Sequence, residues 1–513
     1  MFIINMLWTN KAKKILLKYW NFDTLKEKQI SVINEILSGN DVIGLLPTGY
    51  GKSLCYLLPP LLTNKTIFII SPLISLMDDQ KDKLIKMGIP VSALHSNNPN
   101  KNEETNDILE KKIKIVYMSP EYIIDGYGLE LAKKLMEKEQ LGYLAIDESH
   151  CLSSWGHDFR PNYLKLKIFR DELPIIPIMA VTATAKENVV KEIIKSMQLR
   201  KPQIIRANFD RPNLYIECKY VPKITIKNKQ KLIPYDHIIR DYINKYNEDR
   251  IIVYVTSRKE TERITTSLNS YYNSDISSAY HAGLTKMNRD NIQMDFIENK
   301  CRVIISTIAF GMGIDQVVRC VLILGCSSSI EEYYQQIGRG GRDGLECETV
   351  FYYDASKRKM RESMIIKESY DKVLVEAKKE NLRKIQDYVY TKKCRRQYIL
   401  QYFGLTKNYF AYNGFTCQKC DNCTQYQLID VSMYIWDHYV LNRPLNNKIQ
   451  NIINDRNFNI DTILKDWTLY VKHKNYSLDT LPENLKIKLR LDKDYIDKYD
   501  LIYDKYKYLE ISI

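Results

Sequence analysis

Residues 47–53, Pro-Thr-Gly-Tyr-Gly-Lys-Ser, have the types and the order that bind phosphate in nucleotide-binding proteins. An apolar run at 42–46 precedes them, as in a buried strand, and the apolar stretch after them predicts a helix that Pro59 and Pro60 stop. A strand, a glycine turn and a helix start direct backbone N–H groups and the positive end of the helix dipole at one point. We therefore predict that Lys52 contacts the β- and γ-phosphates and that Ser53 ligates magnesium.

The strict phosphate-loop pattern has a glycine where this chain has Leu46, so the match depends on residues 49–53. The alternative interpretation is an ordinary strand-to-helix turn that carries a surface lysine. Two further groups of charged residues, at 147–148 and at 335–344, help to decide between these interpretations.

Asp147 and Glu148 directly follow the apolar run at 143–146. A carboxylate at a strand end beside a phosphate loop can hold magnesium through water, and its neighbour can orient and deprotonate the attacking water. We assign Asp147 to magnesium and Glu148 to the general base. The alternative is an acidic pair that only stabilises a helix start, and the phosphate loop in the same lobe disfavours it.

Residues 335–344, Gln-Gln-Ile-Gly-Arg-Gly-Gly-Arg-Asp-Gly, place Arg339 and Arg342 three positions apart. On a helix, residues at this spacing share a face, so both guanidinium groups would point at one place. Such donors, supplied across a closing cleft, stabilise the charge on a transferring phosphoryl group. The alternative is a basic glycine-rich loop without a catalytic role.

The predicted elements place these residues at strand ends. Apolar, β-prone runs alternate with helical stretches in two parts of the chain, which predicts βαβ units and two parallel sheets. The runs lie at 42–46, 66–70, 114–118, 143–146, 178–181, 251–255, 279–281, 303–306, 321–324 and 349–353. Ligand sites in such sheets lie at the carboxyl ends of the strands. The predicted fold class is therefore α/β with two doubly wound lobes, joined near residues 206–222.

We predict four domains: a nucleotide-binding lobe at 1–205, a second lobe at 206–355, a helical subdomain at 356–428 and a small C-terminal domain at 429–513. The helical subdomain is basic, because 14 Lys and Arg stand against 6 Asp and Glu between Lys357 and Arg396. The C-terminal domain has no clear periodicity, and a degenerate winged helix is one expectation for it.

The composition of the chain indicates which class of partner it binds. The 513 residues carry a net charge of +14, which favours a polyanion such as nucleic acid, although a lysine-rich proteome would explain the charge as well. No apolar run approaches the roughly 20 residues that span a bilayer. Lysines follow the apolar residues 1–8 instead of preceding them, which is the wrong order for a secretory signal. We expect an intracellular protein, in the nucleus or cytoplasm, that does not bind membranes and whose 11 cysteines are reduced or metal-bound.

Over about residues 15–425 the chain resembles superfamily 2 helicases and, within them, the RecQ family. Nine strings carry the resemblance in the family's order: TGYGKSLCYLLP (48–59), SPLISLMDDQ (71–80), YMSPE (117–121), DESHCLSSWGHDFRPNY (147–163), VTATA (181–185), FDRPNL (209–214), YHAGL (280–284), STIAFGMGID (306–315) and YYQQIGRGGRDG (333–344). The resemblance implies two RecA-like lobes, ATP and magnesium as cofactors, and an ATP-dependent DNA helicase that moves 3′ to 5′ in DNA repair, recombination or replication.

The resemblance also implies roles for particular residues. The adenine site would comprise Phe22, Lys26 and Gln29, and the phosphate loop Thr48, Gly49, Gly51, Lys52 and Ser53. The γ-phosphate sensors would be Gln335, Arg339 and Arg342. An aromatic-rich loop that couples single-stranded DNA to hydrolysis would supply Trp155, His157, Phe159 and Arg160. Lys26 and Tyr50 depart from the family, which usually has arginine and glycine at these two positions.

The family's four-cysteine zinc site resembles Cys417, Cys420 and Cys423 here, with Cys394 as the distant fourth ligand. Four thiolates complete a tetrahedral shell, so the zinc would be structural, and an iron–sulfur cluster is the alternative. The resemblance further implies single-stranded and forked DNA as partners, whereas the sequence leaves the oligomeric state open, with a monomer as the favoured expectation. Two other functions stay open: a translocase or RNA helicase that unwinds little duplex, and a non-catalytic nucleic-acid clamp.

Overall fold

The computed structural model describes residues 2–153, 160–183, 186–226, 229–232, 234–307, 310, 316–368, 371–405, 417–424, 426–430 and 488–492. The chain divides into two compact units, of which the first comprises residues 1–390 and 402–404. The second comprises residues 391–401 and 405–513. Among the described helices, none has both the length and the apolar character needed to cross a membrane.

A seven-stranded sheet forms the first lobe of the first unit, and its strands all pair in parallel. The strands are β1 (Val42–Leu45), β2 (Thr66–Ile70), β3 (Val91–Leu94), β4 (Ile115–Met118), β5 (Leu141–Ile146), β6 (Ile178–Thr182) and β7 (Gln203–Arg206). Their spatial order is β3-β4-β2-β5-β6-β1-β7. All except the edge strand β7 are buried along nearly their whole length, which explains their continuous apolar sequences.

Ten α-helices and one short 3-10 helix (Ser149–Leu152) accompany this sheet in the described part of the lobe. The α-helices are α1 (Phe2–Trp20), α2 (Glu27–Leu37), α3 (Lys52–Thr63), α4 (Ile74–Lys86), α5 (Lys101–Leu109), α6 (Pro120–Ile124), α7 (Tyr127–Glu137), α8 (Pro161–Lys165), α9 (Lys167–Glu172) and α10 (Glu187–Ser196). Residues of α2 and α3 join those of β1, β2 and β4 to β6 in one buried apolar cluster, which fixes the helix that follows the phosphate loop.

Helix α3 continues through Pro59 and Pro60, so the prediction that these prolines stop it is wrong. Pro60 has no N–H to donate to the carbonyl oxygen of Tyr56, four residues earlier. The Tyr143 hydroxyl, on β5, donates to that oxygen instead over 2.7 Å, and the buried carbonyl is satisfied. The helix ends at Thr63, and the next residue, Asn64, caps it with a left-handed φ of 65°, a conformation that is common at helix C-termini.

A six-stranded parallel sheet forms the second lobe. Its strands, in the spatial order β12-β13-β11-β14-β15-β8, are β8 (Leu214–Tyr220), β11 (Ile251–Tyr254), β12 (Ser277–Tyr280), β13 (Val303–Ser306), β14 (Cys320–Gly325) and β15 (Cys347–Tyr353). A separate antiparallel pair comprises β9 (Lys223–Ile226) and β10 (Lys229–Leu232). The helices are α11 (Tyr235–Lys245), α12 (Arg258–Tyr272), α13 (Lys286–Ile297), α14 (Ile330–Ile337), α15 (Ala355–Glu368) and α16 (Lys372–Tyr390).

The chain passes from the first sheet to the second within residues 207–213. Strand β7 pairs with β1 and ends at Arg206, whereas β8 begins at Leu214 and pairs with β15. This short connection lies inside the region that sequence periodicity indicated as the link. The prediction of two parallel α/β lobes is confirmed.

The second unit contains helix α17 (Arg395–Tyr402, whose last residue is grouped with the first unit), helix α18 (Asp421–Thr424) and strands β16 (Tyr426–Asp430) and β17 (Lys488–Asp492). The two strands pair antiparallel. Apart from residues 429–430 and 488–492, the predicted C-terminal domain lies outside the described residues, and so does the suggested winged helix.

Candidate active site

The phosphate loop is shaped by its two glycines. Gly49 and Gly51 have φ of 79° and 88°, in the region that favours glycine, and α3 begins immediately afterwards at Lys52. A Cβ atom built on Gly51 would lie 2.6 Å from Nε2 of Gln29, so a side chain there would displace the Gln29 amide as well as strain the backbone. The result is an open backbone cradle at a helix N-terminus, which fits the phosphates of ATP.

Gln29 holds the loop from the side of α2. Its Nε2 donates to the carbonyl oxygens of Tyr50 and Gly51 at 3.1 and 3.0 Å, and its Oε1 accepts from the backbone N–H of Lys26 at 2.8 Å. The side chain is therefore bonded to the loop backbone, in contrast to the adenine contact that the family resemblance implies. Phe22, the third residue predicted for the adenine site, has an exposed side chain.

The two departures from the family sequence contact each other. The ammonium group of Lys26 lies 4.7 Å from the centre of the Tyr50 ring and donates to the carbonyl oxygen of Gly49 over 3.4 Å. Burial, together with the nearby Arg211, lowers the pKa of Lys26. A cation on an aromatic face thus joins the residue before α2 to the phosphate loop.

The phosphate lysine and the predicted general base form an ion pair. Lys52 Nζ lies 3.1 Å from Glu148 Oε1, and His150 Nδ1 lies 3.3 Å from the other carboxylate oxygen and 2.9 Å from the Thr182 hydroxyl. Burial acts to raise the pKa of Glu148, but Lys52 and then His150 hold that pKa well below its usual range. Glu148 also has a φ of 47°, an uncommon value for a non-glycine residue that places its side chain towards the loop.

Asp147 and Ser53, the two predicted magnesium ligands, are hydrogen-bonded to the same side chain. The Tyr56 hydroxyl is 3.1 Å from Asp147 Oδ2 and 3.1 Å from the Ser53 hydroxyl, so one group bridges both predicted ligands. Burial and then the Glu148 charge raise the pKa of Asp147, and a bound cation would relieve both effects. A carboxylate and a hydroxyl are the hard oxygen donors that magnesium prefers, so these residues fit the ion.

Arg339 and Arg342 follow helix α14, which ends at Ile337, and they lie in a turn. The prediction that they share a helix face is therefore wrong, because the glycines among them end the helix, and Gly341 has a φ of 55°. Both side chains nevertheless lie near the same buried residue, Tyr254. Burial raises the pKa of Tyr254, whereas the positive charges of Arg339 and Arg342 lower it, and Arg339 also forms a hydrogen bond with its hydroxyl. Gln335, on the last turn of α14, is half-buried.

The arginine turn lies against the phosphate loop of the other lobe. A Cβ atom built on Gly338 would be 3.3 Å from the Thr48 Cβ, which is tighter than ordinary van der Waals contact, so the missing side chain at Gly338 lets the two loops approach closely. The predicted γ-phosphate sensors and the predicted phosphate lysine are thus brought to one cleft.

Arg211 is a residue whose role sequence reasoning missed, because only its contacts reveal it. Its Nη2 donates to the carbonyl oxygens of Gly340 and Gly341 at 2.8 and 2.9 Å. Its Nη1 would lie 3.8 Å from a Cβ atom built on Gly49. Arg211 belongs to the connection between the sheets, and it holds the arginine turn next to the phosphate loop.

Replacing Arg211 with alanine should lower ATP turnover by about ten- to a hundredfold, because the arginine turn loses the donors that fix its position. Steady-state ATP hydrolysis in the presence of single-stranded DNA measures this effect. Arg250→Ala is the matched control, since Arg250 donates to the carbonyl oxygens of Phe296 and Ile297 at 2.8 and 3.0 Å, away from the cleft. Equal losses in both variants would contradict a positional role for Arg211.

One member of the predicted DNA-contacting loop is described. Arg160 donates through Nη1 to the carbonyl oxygen of Pro72 over 2.5 Å and borders a cavity of about 300 Å³. The cavity is also lined by residues that directly follow strands β2 and β4, Pro72, Pro120 and Glu121, and by Pro161, Asn162 and Tyr163. It therefore opens at the carboxyl edge of the sheet. Trp155, His157 and Phe159 lie outside the described residues.

Four cysteines in the second unit come together as predicted. The Sγ atoms of Cys394, Cys417, Cys420 and Cys423 all lie within 4.8 Å of one another, and each of the eleven cysteines of the chain, all within the described ranges, is free of disulfides. Tetrahedral zinc with bonds of about 2.3 Å separates its sulfur ligands by about 3.8 Å, so the cluster fits a structural zinc ion. The remaining seven are scattered, and all but the half-buried Cys218 are buried.

Polar contacts fix the two segments that carry these thiols. Arg395, next to Cys394, donates to the Asp421 carboxylate over 2.5 Å, and both side chains are buried. The Asn422 amide donates to the carbonyl oxygens of Thr391 and Lys393, each over 2.8 Å. The distant ligand is thereby held in place by contacts with the segment between Cys420 and Cys423.

Comparison with protein-family models gives three matches in chain order. Residues 26–193 match the DEAD/DEAH box helicase model, residues 234–344 the helicase conserved C-terminal domain, and residues 355–424 the RecQ zinc-binding domain. These matches cover the phosphate loop, the arginine turn and the cysteine cluster, respectively.

Several curated proteins are similar over most of this chain. A protein of Acanthamoeba polyphaga mimivirus described as a putative ATP-dependent RNA helicase is 38% identical, over 80% of this chain and 72% of its own length. The ATP-dependent DNA helicase RecQ of Haemophilus influenzae is 34% identical over 80% of this chain and 63% of its own length. The ATP-dependent DNA helicase hus2/rqh1 of Schizosaccharomyces pombe is 35% identical over 82% and 31%. The chain thus spans most of the viral relative and less than two thirds of the two cellular ones.

Solved structures share the fold at low sequence identity. The DUF1998 helicase MrfA bound to DNA gives a TM-score of 0.55 at 19% identity, over 67% of this chain and 51% of that chain. The Mycobacterium smegmatis helicase Lhr bound to single-stranded DNA and AMP-PNP gives 0.54 at 18% identity, over 70% and 49%. Both are helicases, and the likeness extends to the two-lobed architecture.

Proposed function

The chain belongs to the RecQ family of superfamily 2 helicases, and we propose that it uses ATP and magnesium to move 3′ to 5′ along single-stranded DNA and to separate duplex. The predicted enzyme class, an ATP-dependent DNA helicase, is confirmed by the domain matches and the RecQ relatives. The direction of movement, the preferred DNA structure and the role of each site residue belong to the proposal. The biological setting would be DNA repair, recombination or replication.

The observation that carries the proposal is the meeting of two loops from two lobes. The phosphate loop with Lys52 and the turn with Arg339 and Arg342 lie against each other, and Arg211 bonds the turn in that position. A site divided in this way is complete only when the lobes are closed. Nucleotide binding therefore favours the closed state, and hydrolysis removes the γ-phosphate contacts that maintain it.

Within this site each residue has a distinct task. Lys52 neutralises the phosphates, Ser53 and Asp147 hold magnesium, and Glu148 accepts a proton from the attacking water. Arg339 and Arg342 stabilise the charge that develops on the transferring group, with Gln335 beside them. Thr48, Gly49 and Gly51 line the phosphates, and Phe22, Lys26 and Gln29 border the adenine side.

Single-stranded DNA would lie along the carboxyl edge of the first sheet. Arg160 and the adjoining cavity lie at this edge, after strands β2 and β4, and the predicted stacking residues Trp155 and Phe159, with His157 between them, precede Arg160 in the chain. The net charge of +14 provides the electrostatic attraction for a polyanion. We propose forked and single-stranded DNA as substrates of a monomer in the nucleus or cytoplasm.

The domain boundaries predicted from the sequence separate the two motor lobes from the zinc-binding and C-terminal parts of the chain. We propose that residues 1–205 and 206–355 are the two motor lobes, that residues 356–428 are the zinc-binding subdomain, and that residues 429–513 are a separate C-terminal domain. Limited proteolysis followed by mass spectrometry tests these boundaries, since cleavage concentrates in exposed links between domains.

The decisive experiment compares ATP hydrolysis with single-stranded DNA, duplex DNA and RNA in turn, and then unwinding of forked DNA and forked RNA. The proposal expects single-stranded DNA to stimulate hydrolysis most and 3′-tailed forked DNA to be unwound. RNA is the second candidate substrate, because the mimivirus relative is described as a putative RNA helicase. Stronger stimulation by RNA would favour that candidate, and tight DNA binding without ATP turnover would favour a clamp.

A further inference from the structure

Tyr56 lies within the string TGYGKSLCYLLP and next to the proposed metal site, but no role has been assigned to it so far. It lies one turn into α3, its side chain is 1% exposed, and its hydroxyl is 3.1 Å from both Ser53 Oγ and Asp147 Oδ2. An ionised carboxylate only accepts hydrogen bonds, so the Tyr56 hydroxyl donates to Asp147 and is free to accept from Ser53. A single buried hydroxyl thus connects the residue on the phosphate helix to the residue at the end of β5.

The backbone at Tyr56 is fixed by a second tyrosine. Because Pro60 lacks an N–H, the carbonyl oxygen of Tyr56 accepts from the Tyr143 hydroxyl over 2.7 Å. Tyr143 is on β5, the strand that ends at Ile146, immediately before Asp147. The phosphate helix and this strand are therefore connected by two hydrogen bonds through Tyr56, one at its backbone and one at its side chain.

The immediate surroundings of the Tyr56 hydroxyl are closed to solvent. Burial and then the Asp147 charge raise the pKa of Tyr56, and the same two causes raise the pKa of Tyr117 on β4. Hydrogen bonds in such a buried place hold an ionised carboxylate firmly, because water cannot replace a missing donor. Asp147 itself is half-buried, and its carboxylate is oriented by this hydroxyl at Oδ2 and by the Glu148 backbone N–H, which donates to Oδ1 over 2.9 Å.

We propose that Tyr56 is a positioning residue for magnesium, whose hydroxyl holds Asp147 and Ser53 at the separation that one ion requires. This inference rests on the proposed function, because it assumes that Ser53 and Asp147 hold the ion. Residues that orient metal ligands through a hydrogen bond typically contribute about ten- to a hundredfold to metal affinity. Tyr56 does not touch the nucleotide or the attacking water, so it acts only through the ligands.

Tyr56→Phe and Tyr143→Phe provide a matched pair of variants. Both remove one buried hydroxyl from the same two elements and keep the ring, but only the first hydroxyl faces the metal ligands. The measurement is the Mg²⁺ concentration that half-saturates binding of a fluorescent non-hydrolysable ATP analogue. Electron paramagnetic resonance of bound Mn²⁺ gives a second reading that does not depend on catalysis.

We expect Tyr56→Phe to raise the half-saturating Mg²⁺ concentration by about tenfold while the affinity for the metal-free analogue stays unchanged. Tyr143→Phe should leave the Mg²⁺ requirement at the wild-type value and lower the unfolding temperature by a few degrees, since it leaves the Tyr56 carbonyl unpaired. An unchanged Mg²⁺ requirement in Tyr56→Phe, or an equal increase in both variants, would overturn the inference.

Lys52→Ala separates this inference from the proposed function. If Lys52→Ala still binds the Mg²⁺–analogue complex as the wild type does, the nucleotide site itself is misassigned. If Lys52→Ala loses that binding and Tyr56→Phe retains the normal Mg²⁺ requirement, only the role of Tyr56 is refuted. Circular dichroism on each variant verifies that the comparison is made between folded proteins.

Discussion

Glu148→Gln should reduce DNA-stimulated ATP hydrolysis by about a hundredfold or more, because the amide cannot accept a proton from the attacking water. Glutamine keeps the size of the side chain and can still accept a hydrogen bond from Lys52. The fold should therefore survive, and circular dichroism should match that of the wild type. Steady-state hydrolysis at saturating single-stranded DNA measures the loss of turnover.

The same substitution should not weaken nucleotide binding. Lys52 pairs with Glu148 over 3.1 Å, so a bound phosphate must compete with this carboxylate for the ammonium group. Removing the charge of Glu148 removes the competitor and one source of repulsion towards the phosphates. We expect the affinity for ATP to stay equal or to rise a few-fold, by about 0.5–1 kcal/mol for an incompletely buried pair.

Lys52→Ala is the informative comparison, since it removes the phosphate contact itself. We expect that variant to lose nucleotide affinity as well as turnover, whereas Glu148→Gln loses turnover alone. Normal turnover in Glu148→Gln, or a joint loss of affinity in both variants, would contradict the assignment of Glu148 as base. Since Lys52 and His150 lower the pKa of Glu148, transfer of Lys52 to the phosphates would raise that pKa and make Glu148 a stronger base.

The predicted residues that the structure brings together all lie in short, locally specified segments. The phosphate loop, the Asp147–Glu148 pair and the three cysteines at 417, 420 and 423 are recognisable because residue type and spacing within a few positions determine their geometry, whereas the distant ligand Cys394 followed only from the family resemblance. The alternation of apolar runs likewise predicted both sheets, although β3, β7 and β8 were missed. All three lie at an edge of their sheet, where fewer apolar neighbours are needed and the sequence signal is weaker.

The errors share a physical cause, which is a partner far away in the chain. Pro60 does not end α3 because Tyr143, 87 positions after Tyr56, supplies the missing donor for the Tyr56 carbonyl oxygen. Arg339 and Arg342 converge without a helix because glycines allow the turn and Arg211 bonds its backbone across 129 to 130 positions. Local propensity cannot encode such contacts, and neither could it reveal the roles of Tyr56 and Arg211.

The second substitution with a large expected effect removes a cysteine of the cluster, and it changes folding stability instead of ATP turnover. Cys420 is fully buried at its centre, and the two segments that carry the ligands are separated by more than twenty residues of chain. A metal ion that joins them contributes its binding free energy to folding, and structural zinc sites contribute on the order of 10 kcal/mol in small domains. The buried ion pair between Arg395 and Asp421 would remain without the metal ion. It adds little net stability, however, and it does not replace the bonds between the thiolates and the metal.

Cys420→Ser should therefore reduce the zinc content from about one ion per chain to nearly none, and it should lower the unfolding temperature by about ten degrees or more if the second unit unfolds. Metal analysis by mass spectrometry and thermal unfolding measure the two effects. Cys218→Ser is the matched control, because Cys218 is half-buried and lies outside the cluster, so both quantities should stay at their wild-type values. Full zinc content in Cys420→Ser would refute the ligand assignment. Iron instead of zinc in the wild-type protein would show that the four cysteines hold an iron–sulfur cluster. A hydroxyl is a much poorer ligand for zinc than a thiolate, so the remaining three sulfurs cannot compensate for the loss.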